Sequence, residues 1–304
     1  MGVVRLLRTP DDRFSDLPDF DFEPRYAELV DLHGGVIRVG YVEAGPEDGP
    51  PVLLLHGEPT WSYLYRKVIP VLADAGLRAI APDLVGFGRS DKPGDMVDHT
   101  YQRHVEWMRA FAFDVLDLTD VTLVGQDWGG LIGLRLVAEN PDRFARVVAA
   151  NTGLPTGDTD MPELWHKFRD AMENAQVIDI GRFVQSGCQT KLPEEVRAAY
   201  DAPFPNEMYK AAPRAMPSLV PITPEDPASA ANRAALKVLS ELDKPFLVSF
   251  SDGDPITAPW GLELRASMRG ARELEHPTIT GAGHFLQEDA GGRLGEVIAR
   301  FARS

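Results

Sequence analysis

Three polar residues of the chain have the types and the order that nucleophilic catalysis needs, and each follows a predicted strand. The first, Asp127, lies in Gly125-Gln-Asp-Trp-Gly129, after the apolar run 121–124 and before a helical segment. Glycines on both sides of a central residue allow a strained turn that exposes that residue's side chain above a sheet. The sequence therefore predicts a nucleophile elbow with aspartate where serine is more usual. An aspartate that only caps the next helix is the simpler alternative.

The other two residues follow later predicted strands. Asp254 lies in Ser251-Asp-Gly-Asp-Pro255, and His284 comes after the next strand along the chain. Nucleophile, acid, histidine is the order found in α/β-hydrolases. Each loop alone has an ordinary interpretation, because Asp-Gly-Asp-Pro is a good turn sequence and an isolated histidine is more often structural. Together the three residues predict a triad with Asp127 as nucleophile, and Asp252 is the only rival to Asp254.

An aspartate nucleophile suits displacement at a saturated carbon, because a carboxylate is already ionised at pH 7 and leaves a covalent alkyl ester. Water would then attack the carboxyl carbon, with His284 as a general base that typically contributes ~10²–10⁴-fold. Asp254 would orient His284 and stabilise its imidazolium. The oxyanion of this step develops on Asp127 itself and requires backbone N–H donors. We expect these donors from Trp128, directly after the nucleophile, and from Glu58, after an earlier strand.

The elements that must position these residues alternate between strands and helices. Runs 26–30 and 36–43 flank Gly34-Gly35 and predict an antiparallel hairpin at the edge of a sheet. The apolar run 52–55 is typical of a parallel strand buried on both faces. Further strands are predicted at 78–82, 121–124, 147–151, 245–251 and 273–279, and helices at 61–75, 101–116, 130–140, 228–239, 260–268 and 293–302. This alternation predicts an α/β fold with a mostly parallel, doubly wound sheet.

One block interrupts the alternation. Between residues 155 and 226, aromatic and charged helical stretches replace the apolar strand runs, and the strand and helix pattern then returns. The length of 304 residues suits one domain with an elaboration. We therefore predict a main domain of residues 1–154 and 227–304, with a helical cap of residues 155–226 inserted in it.

Charge and composition exclude several classes of function. The chain has 31 Lys and Arg against 46 Asp and Glu, a net charge of −15, which repels nucleic acids and anionic membranes. No stretch approaches the ~18 apolar residues of a membrane span, and arginines interrupt residues 1–8. The single cysteine, Cys188, excludes an intrachain disulfide and fits a reducing compartment. We expect a cytoplasmic protein without nucleic-acid or membrane partners.

Metal and cofactor signatures are missing from the sequence. The seven histidines show no ligand-like spacing, and neither a phosphate-binding loop nor a dinucleotide fingerprint is present. The expectation is therefore hydrolysis without a metal or cofactor.

Four motifs make the chain similar to a known family over nearly its whole length. They are His56-Gly-Glu-Pro-Thr-Trp61, Asp83-Leu-Val-Gly-Phe-Gly-Arg-Ser-Asp-Lys-Pro93, Gln126-Asp-Trp-Gly-Gly130 and Ala282-Gly-His-Phe-Leu-Gln-Glu288. The chain resembles the α/β-hydrolases and, within them, the haloalkane dehalogenases. Gly86-Phe-Gly88 marks the superfamily only, whereas Trp128 and Glu58 resemble the dehalogenase branch. An acid after the strand at 245–251 resembles the first dehalogenase subfamily.

The resemblance implies an enzyme that converts a halogenated alkane and water into an alcohol, a halide ion and a proton beneath the cap. The halide needs hydrogen-bond donors, and an indole N–H is a donor without acceptor character. Trp128 adjoins the nucleophile, and Trp165 is the only tryptophan in the block 155–226. The family's use of a cap tryptophan in this subfamily supports Trp165 as the second donor. The alternative is that Trp165 only packs the cap onto the main domain.

Other aromatic residues have less specific roles. Phe168, Phe183 and Phe285 are candidates for an apolar cavity, although aromatic residues in such places are often part of the core. The remaining tryptophans, at positions 61, 107 and 260, are expected to pack.

Two other functions share parts of this pattern. An epoxide hydrolase also has an aspartate elbow, and Tyr200 and Tyr209 are available to activate an epoxide oxygen. Such enzymes usually carry an aromatic residue at the position of Glu58, and Trp165 would then lack a role. A non-catalytic protein that binds a small apolar ligand would not need a complete triad. Fluoroacetate-type dehalogenases also use an aspartate, but arginine follows it in their elbow, whereas position 128 of this chain is Trp.

Overall fold

A computed structural model describes residues 4–32 and 34–304 of the chain. Residues 1–3 of the N-terminal stretch discussed above, and residue 33 of the predicted hairpin, lie outside the described ranges. The strands are β1 (Leu6–Leu7), β2 (Arg25–Val30), β3 (Val36–Ala44), β4 (Pro51–Leu55), β5 (Arg78–Pro82), β6 (Lys92–Pro93), β7 (Val121–Gln126), β8 (Phe144–Ala150) and β9 (Phe246–Val248). The α-helices are α1 (Ile69–Asp74), α2 (Tyr101–Arg109), α3 (Trp128–Glu139), α4 (Glu163–Asn174), α5 (Ile180–Ser186), α6 (Glu194–Asp201), α7 (Ala211–Leu219), α8 (Ser229–Glu241), α9 (Ala258–Ser267) and α10 (Leu286–Ala302).

The main sheet has the strand order β2-β3-β5-β4-β7-β8-β9. Strands β5, β4, β7, β8 and β9 are parallel to one another, whereas β3 is antiparallel to both β2 and β5. Helices α1 and α10 pack together, and α3 packs against α2 and α8. The predicted α/β fold with a mostly parallel sheet and an antiparallel edge hairpin is confirmed.

The strands at the centre of the sheet, β4 and β7, lie in the core of the protein. Residues 52–55 of β4 are fully buried, and so is the whole of β7. A strand covered by helices on both faces has no solvent side, so its apolar residues are continuous along the chain and do not alternate. The carboxyl ends of β4, β7 and β8 meet at one edge of the sheet, where their loops form a crevice.

Two predicted elements differ from the structure. The strand expected at 273–279 is not formed, and only an isolated parallel bridge joins Ser251 to Ile279. Within this stretch, the ring of His276 accepts the backbone N–H of Val248, and Pro277 has no N–H to donate to a ladder. The helix expected at 61–75 is divided into a 3₁₀ turn and α1, because Pro70 favours the start of a new helix.

The block between β8 and α8 is helical. Residues 155–226, all of which are described, contain the helices α4 to α7 and no strand. Helix α4 packs against α7, and α5 packs against α6. None of the helices in the described ranges combines the length and apolar character that crossing a membrane requires.

Candidate active site

Asp127 lies at the turn between β7 and α3 in a conformation that few residues other than glycine adopt. Its backbone has φ 51° and ψ −126°. The turn is sharp because the backbone of Gly129 approaches β4 so closely that a Cβ there would overlap the carbonyl oxygen of Leu55. Strained residues of this kind cluster at functional sites, where the surrounding structure holds them in place.

The two carboxylate oxygens of Asp127 have different partners. Oδ1 accepts the backbone N–H of Glu58 at 2.8 Å, and Oδ2 lies 3.6 Å from Nε2 of His284. The backbone N–H of Trp128 belongs to the first turn of α3, whose amides have no acceptor within the helix. Of the two expected backbone donors, the N–H of Glu58 is hydrogen-bonded to the Asp127 carboxylate, and Trp128 is the next residue along the chain.

Asp254 and His284 are in direct contact. Nδ1 of His284 lies 2.9 Å from Oδ2 of Asp254, and Asp254 also accepts the N–H of Ile256 at 2.9 Å. Burial opposes ionisation of Asp254, but His284 and the hydrogen bonds outweigh it and lower the pKa of this carboxyl to about 2. The rival, Asp252, accepts the N–H of Gly281 at 2.8 Å and does not contact His284.

His284 lies between two carboxylates. Burial by itself lowers the pKa of His284, but Asp254 and then Asp127 outweigh it and raise the pKa to about 10. The two neighbouring aspartates thus favour the protonated form of His284 in the resting site. The side-chain nitrogen of Gln126 also lies 3.2 Å from Nε2 of His284 and 3.2 Å from its carbonyl oxygen.

Sequence reasoning missed Asn151, which joins the three loops. Its backbone carbonyl accepts the N–H of Asp127 at 3.0 Å, and its side-chain nitrogen lies 2.9 Å from Oγ of Ser251. The same nitrogen donates to the carbonyl oxygens of Gly283 and His284 at 2.9 and 3.0 Å. A polar residue at the carboxyl end of a parallel strand was the available signal, because ligand sites form at such ends.

A cavity of about 260 Å³ opens above Asp127. Its wall is mostly apolar and contains all the predicted site residues except the buried Asp254. The lining residues include Glu58, Asp127, Trp128, Trp165, Phe168, Phe183, Trp260, His284 and Phe285. The three phenylalanine candidates thus line the cavity, and so does Trp260, for which the prediction of a packing role was incomplete.

Both tryptophans predicted to bind the halide have side chains whose N–H groups are free for a ligand. No acceptor in the described part of the chain receives the indole N–H of Trp128 or Trp165. By contrast, the indole of Trp61 donates to the carbonyl oxygen of Ala199 at 3.1 Å. The cavity therefore has two indole donors in an apolar wall.

Glu58 contributes a buried carboxyl group as well as its backbone N–H. The residue is 4% exposed, and its Oε1 has no hydrogen-bond partner among the described residues. Burial, and then the negative charge of Asp127, raise the pKa of Glu58 well above its usual value. Burial and the nearby negative charge thus both favour the neutral form of this carboxyl group beside the nucleophile.

His56 has a structural role in the loop before Glu58. Its Nε2 accepts the N–H of Leu84 at 2.9 Å, and its Nδ1 lies 3.0 Å from the carbonyl oxygen of Gly57. Burial lowers the pKa of His56, which favours the neutral ring.

The tyrosines considered for an epoxide hydrolase lie elsewhere. The hydroxyl of Tyr200 donates to the buried carboxylate of Glu288, and neither Tyr200 nor Tyr209 belongs to the wall of the cavity. Within residues 4–32 and 34–304, no group of three or more histidine, cysteine, aspartate and glutamate side chains is arranged to hold a metal ion.

Comparison with known proteins gives consistent matches. A family model described as the alpha/beta hydrolase fold matches residues 50–290. A haloalkane dehalogenase of Psychrobacter cryohalolentis is 53% identical over 298 residues, which cover 98% of this chain and 98% of that protein. One of Mycobacterium marinum is 48% identical, with 96% and 98% covered. The solved structure of a haloalkane dehalogenase from Paraglaciecola agarilytica NO2 is similar with a TM-score of 0.89 at 33% identity, and 97% of each chain is covered.

Proposed function

Since the chain belongs to the haloalkane dehalogenase family of the α/β-hydrolases, we propose that it cleaves carbon–halogen bonds with Asp127 as nucleophile and His284 as base. The enzyme hydrolyses haloalkanes to an alcohol, a halide ion and a proton. The observation that supports these residue roles is the position of the Asp127 carboxylate, between the N–H of Glu58 and the ring of His284.

In the first step, Oδ2 of Asp127 attacks the carbon that carries the halogen, because Oδ1 is held by Glu58. A C–O bond forms, and the C–X bond breaks with its electron pair on the halide. Trp128 and Trp165 donate their indole N–H groups to the departing ion in an apolar cavity, where a hydrogen bond to a charge is stronger than in water. The product is a neutral alkyl ester of Asp127.

Formation of the ester changes the protonation of His284. In the resting enzyme, two carboxylates favour the imidazolium. Esterification removes the charge of Asp127, so the pKa of His284 falls and the ring can lose its proton. Formation of the ester thus favours neutral His284, which is the form that hydrolysis of the ester requires.

In the second step, water attacks the carboxyl carbon of Asp127 while His284 takes a proton from it. The developing oxyanion lies within reach of the backbone N–H groups of Glu58 and Trp128. Asp254 keeps His284 in the required tautomer and balances its returning positive charge. The bond between the carboxyl carbon and the alkoxide oxygen then breaks. The second proton of the attacking water passes to that oxygen, so the alcohol leaves, the carboxylate is restored and His284 is again protonated.

We assign residues 155–226 to a cap that closes the cavity. This block contributes Trp165, Phe168 and Phe183 to the wall, and the main domain contributes the triad. A cavity of about 260 Å³ is smaller than the ~300–1,000 Å³ of typical ligand sites. This size favours short haloalkanes over long or branched ones.

We also place the enzyme in the cytoplasm, without nucleic-acid partners. The net charge of −15 disfavours phosphate backbones, and the single cysteine fits a reducing compartment.

The variant His284→Phe tests the residue roles. Displacement needs no base, so the alkyl ester should form and then persist, because its hydrolysis requires one. Intact-protein mass spectrometry after incubation with 1,2-dibromoethane or 1-bromobutane should show the adduct, and peptide mapping should place it on Asp127. Steady turnover by the variant, or an adduct on another residue, would contradict these roles.

A further inference from the structure

The connection between α5 and α6 lies directly on the loop that carries His284. We call residues 187–190 of this connection the strap. The carbonyl oxygen of Gly187 accepts the N–H of Phe285 at 3.3 Å, and the side chain of Gln189 donates to the carbonyl oxygen of Ala282 at 3.2 Å. The approach is so close that a Cβ at Gly283 would overlap the carbonyl oxygen of Gly187. The proposed cap therefore contacts the residues on both sides of the base.

A single carboxylate fastens the strap to this loop. Oδ2 of Asp289 accepts the N–H of Gly283 and the N–H of Gln189, each at 2.8 Å. Its Oδ1 accepts the N–H of Thr190 at 2.8 Å and the hydroxyl of Thr190 at 2.5 Å. Hydrogen bonds to an ionised acceptor are roughly twice as strong as those between neutral groups. Asp289 thus joins the residue before the base to two residues of the strap.

The peptide groups around His284 are held from two directions. On the main-domain side, Asn151 donates to the carbonyl oxygens of Gly283 and His284. From the other direction, Asp289 of α10, which also binds the strap, accepts the N–H of Gly283. Asn151 does not contact the strap, whereas Asp289 binds both the strap and the residue before the base. The side chain of Gln189 adds a bond from the strap to Ala282.

We propose that Asp289 is a positioning residue through which the strap holds His284 in line for hydrolysis of the alkyl ester. This rests on the proposed role of His284 as the base. The effect falls on the second step only, because the carboxylate of Asp127 attacks the substrate without a base. Movement of the cap away from the main domain would then weaken hydrolysis before it weakens displacement.

Asp289→Asn tests this proposal, with Asp252→Asn as the matched control. Asp252 accepts the N–H groups of Gly281 and Ala282 at 2.8 and 3.3 Å, and both of these residues belong to the loop that carries His284. Asp252 does not contact the strap. Rapid-quench kinetics with 1,2-dibromoethane should measure ester formation and ester hydrolysis separately. A misplaced base costs about ten- to hundred-fold in rate, so Asp289→Asn should lose that factor in hydrolysis only. The ester on Asp127 should accumulate in Asp289→Asn and not in Asp252→Asn.

A second variant keeps the test decisive if Asp289→Asn folds poorly. Thr190→Val removes one of the four bonds to Asp289 from the strap side, and it should slow hydrolysis by a smaller factor in the same direction. Equal loss in both steps, or equal loss in Asp252→Asn, would overturn the proposal and assign Asp289 to loop stability. Hydrolysis of the ester at the wild-type rate in both Asp289→Asn and Thr190→Val would also overturn the proposal. If His284→Phe fails to trap the ester, the proposed function fails as well.

Discussion

On one side of the cavity, Asp127 and His284 are held by hydrogen bonds, whereas on the side formed by residues 155–226 the wall is mostly apolar and includes packed aromatic rings. Asp127 accepts from the backbone of Glu58, and His284 bonds to Asp254. Opposite them, Phe168 and Phe183 pack edge to face with their ring centroids 5.8 Å apart. Hydrogen bonds specify direction and distance, but apolar packing specifies only shape. We therefore expect changes at the strand ends to affect the chemical steps, and changes in the helices of residues 155–226 to affect the choice of substrate.

Two helices of the block 155–226 differ in how they are attached to the rest of the chain. Helix α6 is anchored, because Trp61 donates to the carbonyl oxygen of Ala199 and Tyr200 donates to Glu288. Glu288 in turn forms a buried ion pair with Arg66. Helix α4, which carries the predicted halide donor, packs against α7 within the block. Changes in α4 should therefore alter halide binding and substrate range while the two chemical steps remain possible.

Removing the nucleophile on the hydrogen-bonded side should have the largest effect. Asp127→Ala leaves no carboxylate to attack the substrate, and the loss of a nucleophile reduces kcat by about 10⁴-fold or more in other hydrolases. Halide release from 1-bromobutane, followed as acid production in weak buffer, measures this. Halide binding through the two indoles should persist in the variant. Residual turnover within about 100-fold of the wild type would exclude Asp127 as nucleophile.

Replacing the acid should have the next largest effect. Asp254→Asn removes the charge that orients His284, and an equivalent change in serine proteases costs about 10⁴-fold. The hydrolysis step should carry most of this loss, because displacement needs no base. Asp252→Asn is the control, since Asp252 lies two residues before Asp254 in the same loop and does not contact His284. If the Asp252 variant proved to be the slower one, the roles of the two aspartates would be exchanged.

On the aromatic side, a change at Trp165 should have an intermediate effect on binding. A hydrogen bond to a charged partner contributes about 1.5–3 kcal/mol, so Trp165→Phe should lose roughly ten- to hundred-fold in halide affinity. Quenching of intrinsic fluorescence by bromide or chloride measures it. The variant should also lose more rate on chlorides than on iodides, because the poorer leaving group depends more on stabilisation in the transition state.

Trp107→Phe is the control for that measurement. Trp107 is buried, its indole nitrogen has no partner among the described residues, and it lies outside the wall of the cavity. Unchanged halide affinity in a folded Trp165→Phe variant would return Trp165 to a packing role.

The smallest effect is a difference in pH dependence between the two steps. Hydrolysis of the ester requires neutral His284, so its rate should rise with pH, by at most tenfold per unit, and then level off. Asp254 and Asp127 both raise the pKa of His284 in the resting enzyme, and the ester lacks the charge of Asp127, so the apparent pKa of this rise should lie below about 10. Displacement should be flat across the neutral range. Single-turnover kinetics from pH 6 to 10 measure displacement and hydrolysis separately. Parallel pH profiles for the two steps would contradict the proposed change in the protonation of His284.

Local sequence predicted the positions of the triad but not the groups that hold it. Asp127 and His284 were recognisable because glycines around them and the strands before them are local signals. Asn151 and Asp289 bond to residues 132 and 99 positions away. The strand-end position of Asn151 was a local signal, but no local pattern reveals the partners of either residue. The strand predicted at 273–279 was wrong for a similar reason. A side chain, that of His276, accepts the backbone N–H that a ladder would have used.

The most direct test of a covalent ester on Asp127 is the fate of the water oxygen. In a single turnover in H₂¹⁸O, with enzyme in excess over 1-bromobutane, water attacks the carboxyl carbon of Asp127 and not the alkyl carbon. Mass spectrometry of the peptide that contains Asp127 should therefore show ¹⁸O in its carboxylate, and the alcohol should retain ¹⁶O. Label in the alcohol and none in Asp127 would mean direct attack of water on the substrate, and would contradict the ester mechanism.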